Sequence, residues 1–161
     1  MVSSSLIILS IQISMSFILS ILGISWYILP RIQQLKKDEK LSILLWVHVF
    51  RYAPLVLLVR SQTTSDLPHN TLEIIAIGDF ISAIVALIAI LVIRYYPSFS
   101  NTSVWVFQIV STIDILSALT FAMKDKLYDY SLGFNWFILT FYVPLVIVSQ
   151  IFMVRILMQD N

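Results

Sequence analysis

Of 161 residues, 59% are apolar and only 12% charged, whereas roughly a quarter of a soluble domain is charged. One soluble core of this size cannot hide so many large side chains, so a bilayer is the solvent the composition asks for. The formal net charge of +1 excludes the concentrated basic face that nucleic acid requires, and the absence of cysteine excludes disulfides, thiolate metal sites and cysteine nucleophiles.

Apolar runs of about 20 residues, each sufficient for a hydrocarbon core of about 30 Å, predict five spans. The first runs from Leu6 to Leu29. Its leader carries no lysine or arginine, and Trp26 to Pro30 is no small-residue cleavage site, so it reads as a helix of the mature protein rather than a secretory signal. Ser10, Ser14, Ser16, Ser20, Gly23 and Ser25 give it small residues for close helix packing. The second span, Leu41 to Val59, carries His48, Arg51, Tyr52 and Pro54; the third, Leu72 to Ile93, carries Asp79. The fourth, Ser103 to Met123, carries Gln108 and Asp114, and the fifth, Phe134 to Leu157, carries Tyr142, Pro144 and Gln150. Pro54 and Pro144 each remove a backbone donor and free the carbonyl one turn earlier, at Phe50 and Thr140. The connections are short and polar, at Pro30 to Lys40, Arg60 to Thr71, Arg94 to Thr102 and Lys124 to Gly133. The expected fold is therefore all-α: a single transmembrane domain over residues 1–161, an integral membrane bundle of five transmembrane helices with short loops.

Basic residues near span ends orient such a bundle, because positive loops stay cytoplasmic. Arg31, Lys36, Lys37, Lys40, Arg94 and Arg155 fall on one side, and Arg60, Lys124 and Lys126 on the other. That bias puts the N-terminus outside and the C-terminus in the cytoplasm. Trp26, Tyr27, Tyr95, Tyr96 and Trp105 then mark the inner interface, and Tyr128, Tyr130 and Trp136 the outer one. The sequon Asn101-Thr102-Ser103 falls in an inner loop, where glycosylation does not reach it. No internal repeat of the kind common in transporters is present.

At about 1.5 Å of rise per residue, embedded polar residues sort into two strata. Gln12, Arg51, Asp79, Asp114 and Tyr142 lie roughly 9 to 14 Å below the outer span ends. His48, Gln108 and Gln150 lie nearer the cytoplasm, and His48, Arg51 and Tyr52, three and four residues apart, share one face of the second helix. A lone charge at such depth costs about 2.5 to 3.5 kcal/mol on insertion scales, so pairing is expected. One planar guanidinium can serve two carboxylates, which leaves one negative charge over. Either one aspartate is protonated or a cation completes the site.

These groups admit more than one reading. Intramembrane Asp and His side chains carry protons and ions in pumps and transporters, and Asp79, Asp114 and His48 would form such a path. Interhelical Gln, Ser, His and Arg-Asp bonds also assemble helices with no further role, and that is the plainer reading of Gln12, Gln108 and Gln150. No phosphate-cradling loop, His-Glu-x-x-His helix or nucleophile elbow occurs, and His48 is the only embedded histidine, which excludes a bis-histidine haem.

The residues His48-Val49-Phe50-Arg51-Tyr52, Gly78-Asp79, Trp105 through Asp114, and Tyr142 through Gln150 resemble a family of small, uncharacterised bacterial multi-span membrane proteins. The resemblance covers helices two to five. In that family asparagine is usual where Gln108 stands, glycine at Ser111, and histidine often at Gln150; this chain departs at all three. The resemblance implies a bacterial inner membrane and singles out Arg51, Asp79 and Asp114, but lends no activity.

The leading expectation is a membrane protein that binds or moves a small solute, ion or proton at the Arg51, Asp79 and Asp114 cluster, with no cofactor and no resident metal. The alternative is a structural or regulatory subunit whose polar groups only assemble helices or recruit a partner. A membrane enzyme or redox subunit ranks last, since it would need a bound cofactor. Oligomeric state stays open.

Overall fold

The computed structural model describes residues 4–59, 67–133 and 135–159. Among them the secondary structure is entirely helical, in five long helices: α1 (Ser4–Ile32), α2 (Lys37–Leu58), α3 (His69–Tyr95), α4 (Pro97–Lys124) and α5 (Asn135–Leu157), each long and apolar enough to cross a bilayer. Arg60, assigned above to the outer side, and Phe134, expected to open the fifth helix, lie outside the described residues, as do Met1 to Ser3. We call the end with the α2–α3 and α4–α5 connections the upper end, and the opposite end the lower.

Helices α1, α3 and α4 overrun their expected limits at both ends and α2 at its start, whereas α5 ends at Leu157 as expected. The α3–α4 connection, expected over Arg94 to Thr102, shrinks to Tyr96, because Pro97 starts a short 3-10 turn whose first positions need no proline N–H. The Asn101 sequon consequently sits in the first turns of α4. At the start of α2 the Glu39 carboxylate accepts the Lys36 backbone N–H at 3.0 Å, an N-terminal cap that offsets orphan donors. Lys37 Nζ donates to the Leu157 carbonyl at 3.1 Å and ties that start to the end of α5.

Pro30 does not end α1, because a π turn over Ile24–Ile28 precedes it, with the Leu29 N–H donating to the Ile24 carbonyl. The same device recurs in α5, where Ile138–Tyr142 winds as a π turn before Pro144 and the Val143 N–H donates to the Ile138 carbonyl. A π turn pairs each carbonyl with the N–H five residues on and so widens the helix just before the ring, where proline would otherwise crowd the preceding turn. In α2 the response is the opposite: Phe50–Leu58 tightens into a 3-10 helix around Pro54.

Helices α2, α3, α4 and α5 form the body, with α1 packed against α5. Buried Ala76, Ser82, Ala83, Ala86 and Ala89 keep one face of α3 shallow, which lets α2 and α4 approach it closely. Two apolar clusters result. The lower one includes Leu41, Leu44, Leu45, Phe107 and Met153; the upper one includes Leu57, Leu72, Ala76, Leu127 and Leu132. Contacts between α4 and α5 are sparse, so a seam separates them. Outward, large apolar side chains stay uncovered along whole helices, among them Ile7, Ile11 and Ile18 of α1, Ile77, Ile81 and Ile88 of α3, and Ile109, Ile113 and Leu116 of α4. A water-soluble monomer does not carry continuous apolar surface on this scale. Of the small residues of α1, only Ser16 and Ser20 are buried, so its packing stripe is shorter than the sequence implied.

Candidate functional site

Between the two apolar clusters lies a polar layer centred on Arg51. The side chain is 2% exposed and leaves α2 at the first turn of the 3-10 segment. Its Nε donates to Asp79 Oδ1 of α3 at 2.7 Å, Nη2 donates to Asp114 Oδ2 of α4, and Nη1 donates to the Ser111 hydroxyl, also of α4. One guanidinium therefore serves both aspartates, and the three residues singled out by depth converge. The planar fork makes this possible, since its donors diverge toward two neighbouring helices at once.

The layer extends further than charge alone predicts. Ser82 donates to Asp114 Oδ2 at 3.0 Å, and Gln150 Nε2 donates to the Ser111 hydroxyl at 2.5 Å. Gln108 Nε2 in turn donates to the Gln150 backbone carbonyl at 3.4 Å. Arg51, Asp79 and Asp114 of the upper stratum and Gln108 and Gln150 of the lower one thus form one connected network, joined at Ser111. Ser82 is not among the expected site residues, and Ser111 figures only as a departure from the resembled family; the available signal was their three-residue spacing from Asp79 and Asp114. Gly78 belongs to the site as well. A Cβ there would collide with Asp114 Oδ1 and sit 3.1 Å from Cγ, so the carboxylate occupies the space that glycine leaves open.

Other expected members stand apart. Gln12 accepts the Trp136 indole N–H at 2.7 Å, which ties α1 to α5 and leaves it outside the Arg51 network. Tyr142 lines the same cavity as Arg51, yet its hydroxyl donates to the Val47 carbonyl of α2 at 2.7 Å. Tyr52 is half exposed and turns away from His48, because 3-10 winding rotates about 120° per residue and carries it past the shared face. His48 is fully buried with both ring nitrogens unpartnered, edge-on to Phe107 at 4.9 Å between ring centres. The expected path through His48 therefore has no hydrogen-bonded link among the described residues; the polar thread runs by Ser111 and Gln150.

Above the layer lies a cavity of about 90 Å³ bounded by α2, α3, α4, α5 and the α4–α5 connection. Its walls include Leu57, Leu72, Ile75, Leu119, Leu139 and Val146; Arg51, Asp79 and Tyr142 form its polar floor, and Asn135 of α5 is polar lining nearer the upper end. All of its α4 lining, Ile115 through Ala122, lies above Ser111, whereas Val104, Phe107 and Gln108 below are buried in packing. The cavity thus reaches the charged layer from the upper side and follows the α4–α5 seam. Asp79 keeps 15% of its side-chain surface exposed and Asp114 11%. Among the described residues no three His, Asp or Glu side chains gather as metal ligands would.

A family model described as a domain of unknown function, DUF8737, matches residues 8–158, and the chain belongs to that family. The match takes in α1, which the resemblance noted above did not cover. No curated protein and no solved structure matches the chain.

Proposed function

We propose that this chain is a membrane-spanning five-helix protein that binds or translocates a small solute, ion or proton at the Arg51, Asp79 and Asp114 layer. The observation that carries the reading is the cavity that ends on Asp79 and Arg51, in a cluster whose formal charges sum to one negative. Cavities that only assemble helices have no need of an ionised floor, and uncompensated charge in a low-dielectric setting calls for a proton or cation.

A bilayer around the bundle is supported by the five apolar helices and by their uncovered isoleucine and leucine faces. Trp26, Tyr27, Tyr95 and Tyr96 are highly exposed at the lower end, as interfacial aromatics are. The basic bias assigns that lower end to the cytoplasm, with the N-terminus outside, and the resemblance to bacterial multi-span proteins favours the inner membrane. The cavity then faces the outer half of the bilayer.

The test is flux through reconstituted vesicles. Asp79→Asn and Asp114→Asn should abolish solute uptake or proton release from loaded proteoliposomes while the protein still folds and reconstitutes. Unchanged flux in both variants would defeat the reading.

A second reading has its own observation: every guanidinium nitrogen of Arg51 is already bonded, as expected of a layer that only assembles helices or docks a partner protein. Under it the same substitutions lower folded yield or complex formation and leave flux as it was.

A further inference from the structure

The cavity above Arg51 has walls and floor of different chemistry, and together they select a ligand. Its walls are aliphatic, from Leu57, Leu72, Ile75, Leu119, Leu139 and Val146. At the floor, Asp79 Oδ1 and Asp114 Oδ2 are committed to Arg51, and Asp114 Oδ1 is pressed against Gly78. Asp79 Oδ2 has no hydrogen-bond partner among the described residues, on a side chain that lines the cavity and keeps some exposure. Arg51, by contrast, is almost fully enclosed, with Nε, Nη1 and Nη2 each donating already.

At the floor, the group left facing the cavity is therefore an acceptor in a cluster of net negative charge, whereas Asn135, nearer the upper end of the lining, is neutral. An anion would meet Asp79 before reaching a guanidinium that is already shared. A neutral apolar molecule would fill the walls and leave the acceptor desolvated and unpaired. A cation with N–H donors and an apolar body satisfies both surfaces. Inorganic cations would match the floor and waste the walls. On the ligand-binding reading above, we propose that the cavity takes a small lipophilic organic ammonium, its nitrogen donating to Asp79 and its hydrocarbon against the aliphatic walls. The cavity, at about 90 Å³, is smaller than the roughly 150 Å³ that holds benzene, so it takes the ammonium and about the first three carbons of a short chain, whose tail runs on along the α4–α5 seam. The α4–α5 seam lets such a molecule arrive sideways from the lipid into which it partitions.

The experiment titrates the full chain, in zwitterionic lipid nanodiscs, with pentylamine, 1-pentanol and pentanoate, three probes of one shape and different charge. Calorimetry against empty nanodiscs should show saturable pentylamine binding about tenfold or more tighter than pentanol, and none for pentanoate. Asp79→Asn should bring pentylamine down to the level of pentanol. Ile75→Phe, which fills the cavity and spares the cluster, should abolish binding of both. Equal affinity for pentanol and pentylamine overturns the ammonium assignment and keeps a neutral ligand site. Preference for pentanoate overturns it in favour of an anion on Arg51. No binding of any probe also overturns it, while the vesicle flux of the two Asn variants separately decides whether a proton or inorganic ion uses the layer.

Discussion

The carboxylate of Asp114 rests in the space that Gly78 leaves vacant on α3, with Cγ 3.1 Å from where a Cβ would stand. The Arg51–Asp114 pair thus depends on a missing methyl group in a different helix from either partner. Gly78→Ala must push the carboxylate off its seat or part α3 from α4. The expected cost is about 1 to 3 kcal/mol, in line with overpacking elsewhere. Denaturant unfolding in mild detergent measures it, and wild-type stability in the variant would contradict the geometry.

Arg51 holds two carboxylates and a hydroxyl at once, which a point-charge ammonium cannot reproduce. Arg51→Lys is expected to lose stability, because at least one aspartate is left without its donor. Combining it with Asp114→Asn should cost less than the sum of the two single changes, with a coupling of about 0.6 to 2 kcal/mol. Strict additivity in that double-mutant cycle would show that the two side chains do not interact in the folded protein.

His48 carries two unpartnered ring nitrogens into a lower core of Leu41, Leu44, Leu45 and Phe107. An unsatisfied buried polar group costs about 1 to 3 kcal/mol, so His48→Leu, similar in size and without polar atoms, should raise thermal stability. Vesicle flux should persist in this variant, since the polar network passes through Ser111 and Gln150 instead. A drop in melting temperature, or loss of flux, would return His48 to the list of working residues.

Gln12 and Trp136 form a tie between α1 and α5, well apart from the charged layer. Gln12→Leu should weaken the docking of α1 by about 0.6 kcal/mol, the average for such bonds in helix bundles. Pentylamine affinity should not move. A change in affinity equal to that of Asp79→Asn would place Gln12 in the site after all.

Much of this protein was legible before folding. Composition and run length determine five helices, because a segment of twenty apolar residues satisfies its backbone internally and little else in the chain competes. The meeting of Arg51 with Asp79 and Asp114 was also legible, since rise per residue gives each group a height and burial of charge demands a partner at that height. Height, however, says nothing of direction around the helix axis. Gln12, counted to the same depth, pairs with Trp136 in the first turn of α5; Tyr52 lies four residues from His48 and faces outward; His48 lies one turn from Arg51 and bonds to nothing described. Only the tertiary structure decided these azimuths, because they follow from which faces are small enough to pack, as the alanines of α3 are, and from the π and 3-10 turns that rotate what lies beyond a proline. The same packing leaves the α4–α5 seam open above Arg51, so the cavity is a property of how the helices fail to touch, which no single helix encodes.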